Sequence, residues 1–266
     1  MKILDDKVIV VAGVGPGIGH SLAVNASAHG AKLVLCARTA SRLDDLVAEI
    51  ESSGGDAVAV PCDMSIVADC QKAASVAMER YGKIDGVAVI ACMEPDRKMF
   101  DEAAADFSDW RSNVDFNLWA TMQFVKACLT HMTSGGSIVL SGSTSSDFPD
   151  AGVAAYAAAK AGLASMIRSI AYEYSAKFSG GRGIRLNMLS YGAIAGEPFH
   201  KWVQEIADIS GRTYEQQLKR ISRNYPLGYV PTPDEYANGV VMLLSDLSKA
   251  FNGLNIHING GLFMKP

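Results

Sequence analysis

An α/β fold is predicted from this sequence, a doubly wound parallel sheet of about seven strands with helices on both faces. Three observations predict it. Short, almost wholly apolar runs recur along the chain. Amphipathic stretches of helical length alternate with them from end to end, and a glycine-rich turn, GVGPGIG, follows the first apolar run.

The apolar runs are KVIVVA (7–12), KLVLCA (32–37), AVAV (57–60), GVAVIA (86–91), SIVLS (137–141), IRLNML (184–189) and LNIHI (254–258). Continuous apolar composition suits strands buried on both faces by flanking helices. The helical stretches between them cover 17–29, 40–52, 66–81, 104–132, 155–178 and 233–246. No linker, repeat or low-complexity segment interrupts this alternation, so residues 1–266 are assigned to a single domain. The rhythm breaks once. Residues 192–232 form a long helical insertion between the sixth and seventh strands, at the carboxyl end of a strand, and are read as a substrate lid. Its Phe199, Trp202, Ile206, Ile209 and Tyr214 predict an apolar face, and hence a bulky or hydrophobic substrate, although core packing would demand the same residue types.

Composition narrows the function. With 49% apolar and 20% charged residues, the chain reads as globular with a substantial core. A formal charge of −4 and the lack of a dense Lys/Arg stripe exclude an electrostatic nucleic-acid footprint. The five cysteines are odd in number and form no C-x-x-C pair, so neither a disulfide framework nor a metal site is expected. The first apolar run is too short and too broken by glycine for a membrane span or signal peptide, and a cytoplasmic location is expected.

The glycine turn carries chemistry. Gly13, Gly17 and Gly19 stand in the spacing G-x-x-x-G-x-G, with Gly15 and Ile18 between them. Glycines permit a tight turn and close approach of a pyrophosphate, which the free N–H groups at the following helix N-terminus then meet. The second strand ends at Ala37 and is followed by Arg38. A carboxylate there would bond the ribose of NAD, whereas Arg38 pairs with a 2′-phosphate, so NADP is the preferred cofactor and NAD the alternative. Opposing this, Gly15 and Pro16 supply neither hydroxyl nor cation. Asp63, after the third strand, fits two roles: acceptor for the adenine amine, or cap of the next helix.

A second constellation lies in AAYAAAKAG (154–162). Tyr156 and Lys160 stand four apart, on one face of a helix, among small residues that leave room for a ligand. Ser143 precedes Tyr156 by thirteen residues, and Asn117 lies in NVDFNLWAT.

Taken together, the glycine turn, Ser143, Tyr156, Lys160, Asn117, RGIRLNMLSYGAIAG and LNIHINGGLF resemble the short-chain dehydrogenase/reductase family over the whole chain. The resemblance implies a Rossmann-type, NAD(P)-dependent oxidoreductase that interconverts a secondary alcohol and a ketone. It implies Tyr156 as general acid/base, Ser143 as hydrogen-bond donor to the substrate oxygen, and Lys160 as contact to the nicotinamide ribose. It also implies Asn117 as holder of a water that relays protons to Lys160. It implies further that the Lys160 ammonium draws the Tyr156 phenol below its ordinary value near ~10. Ala91 and Ile194, after the fourth and sixth strands, complete the implied cofactor set. A small-molecule substrate and a homotetramer with interfaces on 104–132 and 155–178 are likewise expected.

The chain departs from the family pattern in places. Ala12 replaces the usual Thr, and Val89, Ile90, Ala91 and Cys92 replace Asn-Asn-Ala-Gly. Loss of both polar partners predicts a compensated apolar swap. Tyr191 stands for Pro, Gly196 for Thr and Asn259 for Asp. Two other readings remain open at this level: a dinucleotide-binding redox sensor without catalysis, and a reductase of carrier-bound 3-ketoacyl groups docking on Lys201, Arg212, Lys219, Arg220 and Arg223.

Overall fold

Seven strands alternate with helices in the computed structural model, which describes residues 2–95 and 97–264. In chain order they are β1 (Val8–Ala12), α1 (Ile18–Ala28), β2 (Lys32–Ala37), α2 (Ala40–Ser52), β3 (Asp56–Pro61), α3 (Val67–Tyr81) and β4 (Ile84–Val89). Then follow α4 (Ser108–Val114), α5 (Thr121–Leu129), β5 (Met132–Ser143), α6 (Ala154–Glu173), β6 (Arg185–Tyr191), α7 (Glu197–Ile209), α8 (Tyr214–Ser222), α9 (Pro233–Leu244) and β7 (Asn255–Ile258). The sheet order is β3-β2-β1-β4-β5-β6-β7, and every neighbouring pair is parallel. Strand order reverses between β1 and β4. In such sheets the crevice at that reversal, beyond the carboxyl ends of the strands, receives ligands.

Two apolar layers cover the sheet. On one face Cys70, Phe124, Leu163 and Ile167 pack over Val10, Val87 and Ile138. On the other, Leu22, Leu43 and Val240 pack over Ile9, Val11 and Leu35. Helix boundaries follow local chemistry: α9 opens on a capping box of Thr232 and Glu235 with Pro233 in its first turn, and α8 on one of Thr213 and Gln216.

The sheet departs from the sequence expectation at β4. The apolar run continues to Ala91, yet the strand stops at Val89. Ile90 and Ala91 turn both N–H groups onto the Ala12 carbonyl, at 2.8 and 3.0 Å. Ala12 pairs with Val89 in the ladder, and both side chains are buried in one apolar cluster. The backbone here is thus satisfied without a side-chain hydroxyl. A lone Ala12→Thr therefore strands a hydroxyl among carbons, and the expected result is a melting temperature that does not rise and a loss of about 1–3 kcal/mol. A clear rise in thermal denaturation would count against the compensated swap.

The long insertion folds as α7 and α8 over a small core of Phe199, Val203, Tyr225 and Val230. The buried stripe of α7 is Phe199, Val203 and Ala207, spaced four apart. Of the five residues expected on an apolar lid face, Phe199 and Tyr214 pack in or against the small core, Ile206 is half-buried, and Trp202 and Ile209 are exposed.

Candidate active site

The glycine turn builds the first wall of the crevice. Gly13 sits at φ +95°, and a Cβ there would lie 2.3 Å from the Ala91 nitrogen, so β1 and the loop after β4 approach as closely as they do only with glycine. Gly17 is also left-handed, at φ +103°, but a Cβ on either Gly17 or Gly15 would meet nothing within 4 Å. Helix α1 then starts at Ile18 with no side-chain cap. The first-turn N–H groups of α1 therefore face an open groove, which fits a pyrophosphate.

Arg38 and Asp63 follow the carboxyl ends of β2 and β3. With Ser65, Met93, Phe116 and Gln123 they line a cleft of about 460 Å³. Arg38 is exposed. Asp63 Oδ1 accepts from the Ser65 N–H at 2.9 Å and the Ser65 hydroxyl at 2.7 Å. Those two bonds, and more weakly the Arg38 charge, hold the carboxyl below the usual carboxylate range. The helix-cap reading of Asp63 is corrected: α3 starts at Val67 behind Ile66 with no side-chain cap, and Asp63 instead closes a turn onto Ser65, two residues on, while still lining the cleft.

The long helix 104–132 is bent. Between α4 and α5 the segment Asp115–Ala120 is π-helical, an irregularity that often marks functional positions. Asn117 falls within it and is fully buried. Its amide is wholly engaged: Oδ1 accepts from Met93 N–H at 3.1 Å, and Nδ2 donates to the Met93 carbonyl at 2.9 Å and to Asn113. Sequence reasoning missed Asn113, although its spacing of four from Asn117 puts both on one face. Its Nδ2 donates to the Glu94 carbonyl at 3.0 Å. Together the two amides bolt the loop after β4 to the helix.

Ser143 ends β5, opposite Tyr191 in the ladder. Its Oγ accepts from the Ser145 N–H at 3.1 Å, and its side chain is near enough to pull the Tyr156 phenol down. Helix α6 starts at Ala154 and presents Tyr156 and Lys160 on successive turns. Lys160, only 1% exposed, donates to the Ser141 carbonyl at 2.9 Å and lies 5.5 Å from the Tyr156 ring centroid. Of the surrounding alanines, Ala155 and Ala159 are buried, and Ala154, Ala155 and Ala158 face Phe107 and Trp110 across a shallow cleft.

One electrostatic expectation is reversed. The phenol of Tyr156 is pushed up, first by burial and then by Cys92 and Glu94, with only the Ser143 bond opposing. Lys160, whose ammonium donates to the Ser141 carbonyl, is not among the groups that shift it. Burial pushes the Lys160 ammonium down in turn, against the opposing pull of Cys92 and Glu94.

Cys92 is the exposed cysteine among five free ones, and it adds a side chain to the crevice floor. Ile194 lies in the loop after β6 and packs on the α1 side of the sheet. Tyr191 packs edge-on against Tyr236, with centroids 5.1 Å apart. Asn259 accepts from the Gly261 N–H at 3.0 Å and donates to the Phe263 carbonyl at 2.9 Å, which shapes the C-terminal turn. Among the described residues no cluster of metal-ligating side chains occurs, and no helix is long and apolar enough to cross a membrane.

The family model described as enoyl-(acyl carrier protein) reductase matches residues 13–263. A short-chain dehydrogenase/reductase of Botryotinia fuckeliana is 31% identical over 96% of this chain and 96% of its own. The chain belongs to the short-chain dehydrogenase/reductase family. Another member, a meso-2,3-butanediol dehydrogenase of Serratia marcescens, is 28% identical over 97% of this chain and 94% of its own. Among solved structures, a short-chain dehydrogenase/reductase of Brucella melitensis, titled glucose/ribitol dehydrogenase, superposes with a TM-score of 0.85 at 26% identity, covering 100% of both chains. Short-chain dehydrogenase/reductase membership makes this chain an oxidoreductase and implies a nicotinamide dinucleotide cofactor.

Proposed function

We propose that this chain interconverts a secondary alcohol and its ketone, preferring NADP over NAD, with Tyr156 as the proton-transfer residue. The observation that carries the reading is the convergence of the Ser143 hydroxyl, the Tyr156 phenol and the buried Lys160 ammonium beyond the end of β5. When bound, the nicotinamide supplies or accepts the hydride. Ser143 accepts the Ser145 N–H through one lone pair and donates its O–H to the substrate oxygen, where negative charge develops during reduction. Tyr156 gives that oxygen its proton, or removes it in the oxidative direction. Lys160 holds its charge beneath the ring and is the group that reaches the ribose hydroxyls. Because the Asn117 amide is spent on Met93, its main-chain carbonyl at the π-helical turn is the group left to hold a relay water. The groove from Gly13, Gly15, Gly17, Ile18 and Gly19 past Ala91 to Ile194 holds the rest of the cofactor, and α7 and α8 close over the substrate.

The preference for NADP rests on Arg38, an exposed guanidinium beside the cleft with no carboxylate at the end of β2. Arg38→Ala is expected to raise the Kd for NADP about 10-fold and leave that for NAD nearly unchanged, since a hydrogen bond to a charged group contributes about 1.5–3 kcal/mol. Titration of protein fluorescence with each cofactor measures this, and equal effects on both would remove Arg38 from the 2′-phosphate site.

A homotetramer joined through α4–α6 fits the exposed Phe100, Phe107 and Trp119 on that side of the molecule. Light scattering in solution tests it, and a monomer at working concentration would overturn it.

A further inference from the structure

Ser143 ends β5, and the chain then leaves the sheet in a turn that closes on itself. The Ser145 N–H meets Ser143 Oγ at 3.1 Å, and the Ser146 hydroxyl lies 2.8 Å from the Ser143 carbonyl. The N–H groups of Asp147 and Phe148 both meet the Thr144 carbonyl, at 3.1 and 2.9 Å. These bonds make residues 143–148 one unit. They do not settle where the unit sits against the sheet, and that placement sets where the Ser143 hydroxyl points.

Asp147 fastens the unit to a distant strand. Its Oδ2 accepts from His257 Nε2 at 2.9 Å and from Asn255 Nδ2 at 3.2 Å, both on β7, and lies 2.9 Å from the Ser146 hydroxyl. In the ladder Ser143 pairs with Tyr191, and Tyr191 with Ile258, so the carboxylate reaches across the end of β6 from the exit of β5 to β7. Phe148 follows the same path: its ring stacks on Phe263 with centroids 4.5 Å apart and meets His257 edge-on at 5.9 Å. The His257 and Asp147 side chains are only 11% and 20% exposed. His257 Nδ1 is buried and meets no hydrogen-bond partner among the described residues, so the ring proton is assigned to Nε2, facing the carboxylate. The Ser146 hydroxyl carries one proton and has two acceptors in reach, the Ser143 carbonyl and Asp147 Oδ2. The donors from β7 engage the carboxylate oxygen and leave that proton to the Ser143 carbonyl.

We propose that Asp147 is a positioning residue for Ser143: by clamping the 143–148 turn to Asn255 and His257 of β7, it holds the Ser143 hydroxyl aimed at the substrate oxygen. The effect on turnover rests on the oxidoreductase reading; the effect on the turn does not. The test is a double-variant cycle on the full chain, with wild type, Asp147→Leu, Ser143→Ala and the two combined reducing cyclohexanone with NADPH and with NADH. Asp147→Leu is expected to lower kcat about 10-fold with cofactor Kd unchanged, a part of the ~10²-fold that an ångström of misplacement can cost. In the Ser143→Ala background the same change is expected to cost less than about 2-fold, because the hydroxyl it would misplace is gone. A merely structural role would lower the rate equally in both backgrounds.

Equal losses in the two backgrounds, or an unaltered kcat in Asp147→Leu, overturn the proposal. If Asp147→Leu fails to fold, His257→Phe makes the same comparison, since it removes the Nε2 donor and keeps a ring against Phe148. A loss confined to the background that retains Ser143 is then expected, and an equal loss in both overturns the proposal. Absence of turnover by wild type with cyclohexanone, 2-octanone and their alcohols under either cofactor would count against the alcohol–ketone reading instead. The crystal structure of the variant decides the clamp without turnover. A Ser143 Oγ displaced by about 1 Å or more is expected, and a turn left in place against β7 overturns the proposal.

Discussion

Tyr156→Phe is expected to lower kcat by about 10³-fold or more in both directions while leaving cofactor affinity and melting temperature nearly as they are. Removal of a positioned acid/base group costs about 10²–10⁴-fold, and here the same oxygen also meets Ser143. The fold has little at stake, because the ring remains and only its hydroxyl is lost. The pH dependence follows from the direction of the shift. Burial pushes the phenol above its ordinary value, so in the ligand-free protein it stays protonated through neutrality. Oxidation needs the phenolate and should rise toward alkaline pH. Reduction needs the protonated form and should stay level through neutrality and fall only where oxidation gains. Initial rates in both directions across pH, on wild type and variant, measure this. Comparable turnover without the hydroxyl would place the proton transfer elsewhere.

The largest effect on stability is expected far from the crevice, at Arg185. It opens β6 and is only 8% exposed, yet its guanidinium donates to four acceptors at 3.0–3.1 Å: the Ser248 carbonyl and hydroxyl and the Leu243 and Ser245 carbonyls. Those carbonyls lie at and just beyond the C-terminal end of α9, where helix carbonyls lack intrahelical partners and a cation is favoured. Burial pushes the guanidinium pKa down, though an Arg remains charged. Arg185→Leu removes four charge-assisted bonds at once, although each carbonyl keeps a weaker neutral donor: Leu243 and Ser245 the Ser248 hydroxyl, and Ser248 the Phe251 N–H. The expected loss is about 3–5 kcal/mol, in the range of a broken buried polar network. Arg185→Lys should recover only part, since one ammonium cannot reproduce the planar fork. Urea denaturation measures both, and a loss below ~1 kcal/mol in the Leu variant would show that α9 is held by its apolar face alone.

Much of the architecture was legible because parallel strands buried on both faces must be apolar throughout, and runs such as KLVLCA (32–37) match β2 to the residue. The spacing of Tyr156 and Lys160 likewise predicts a shared helical face, and α6 supplies one. The charge relation between them was not legible. It depends on where the ammonium turns, and the acceptor that turns it, the Ser141 carbonyl, lies nineteen residues away on another element. Nor does CMEPD show that its backbone is held: Asn117 bonds Met93 and Asn113 the Glu94 carbonyl, partners met only once the chain has folded.

By itself the sequence determined the sheet, its helices, the glycine turn and the spacing of the polar residues, since each depends on periodicity or on backbone freedom within a few neighbours. Only the tertiary structure decided the protonation balance of Tyr156, the buried stripe of α7 and the clamp at Arg185. Those depend on burial and on partners brought together from distant parts of the chain, and no local pattern encodes the dielectric or the charges that a side chain meets once packed.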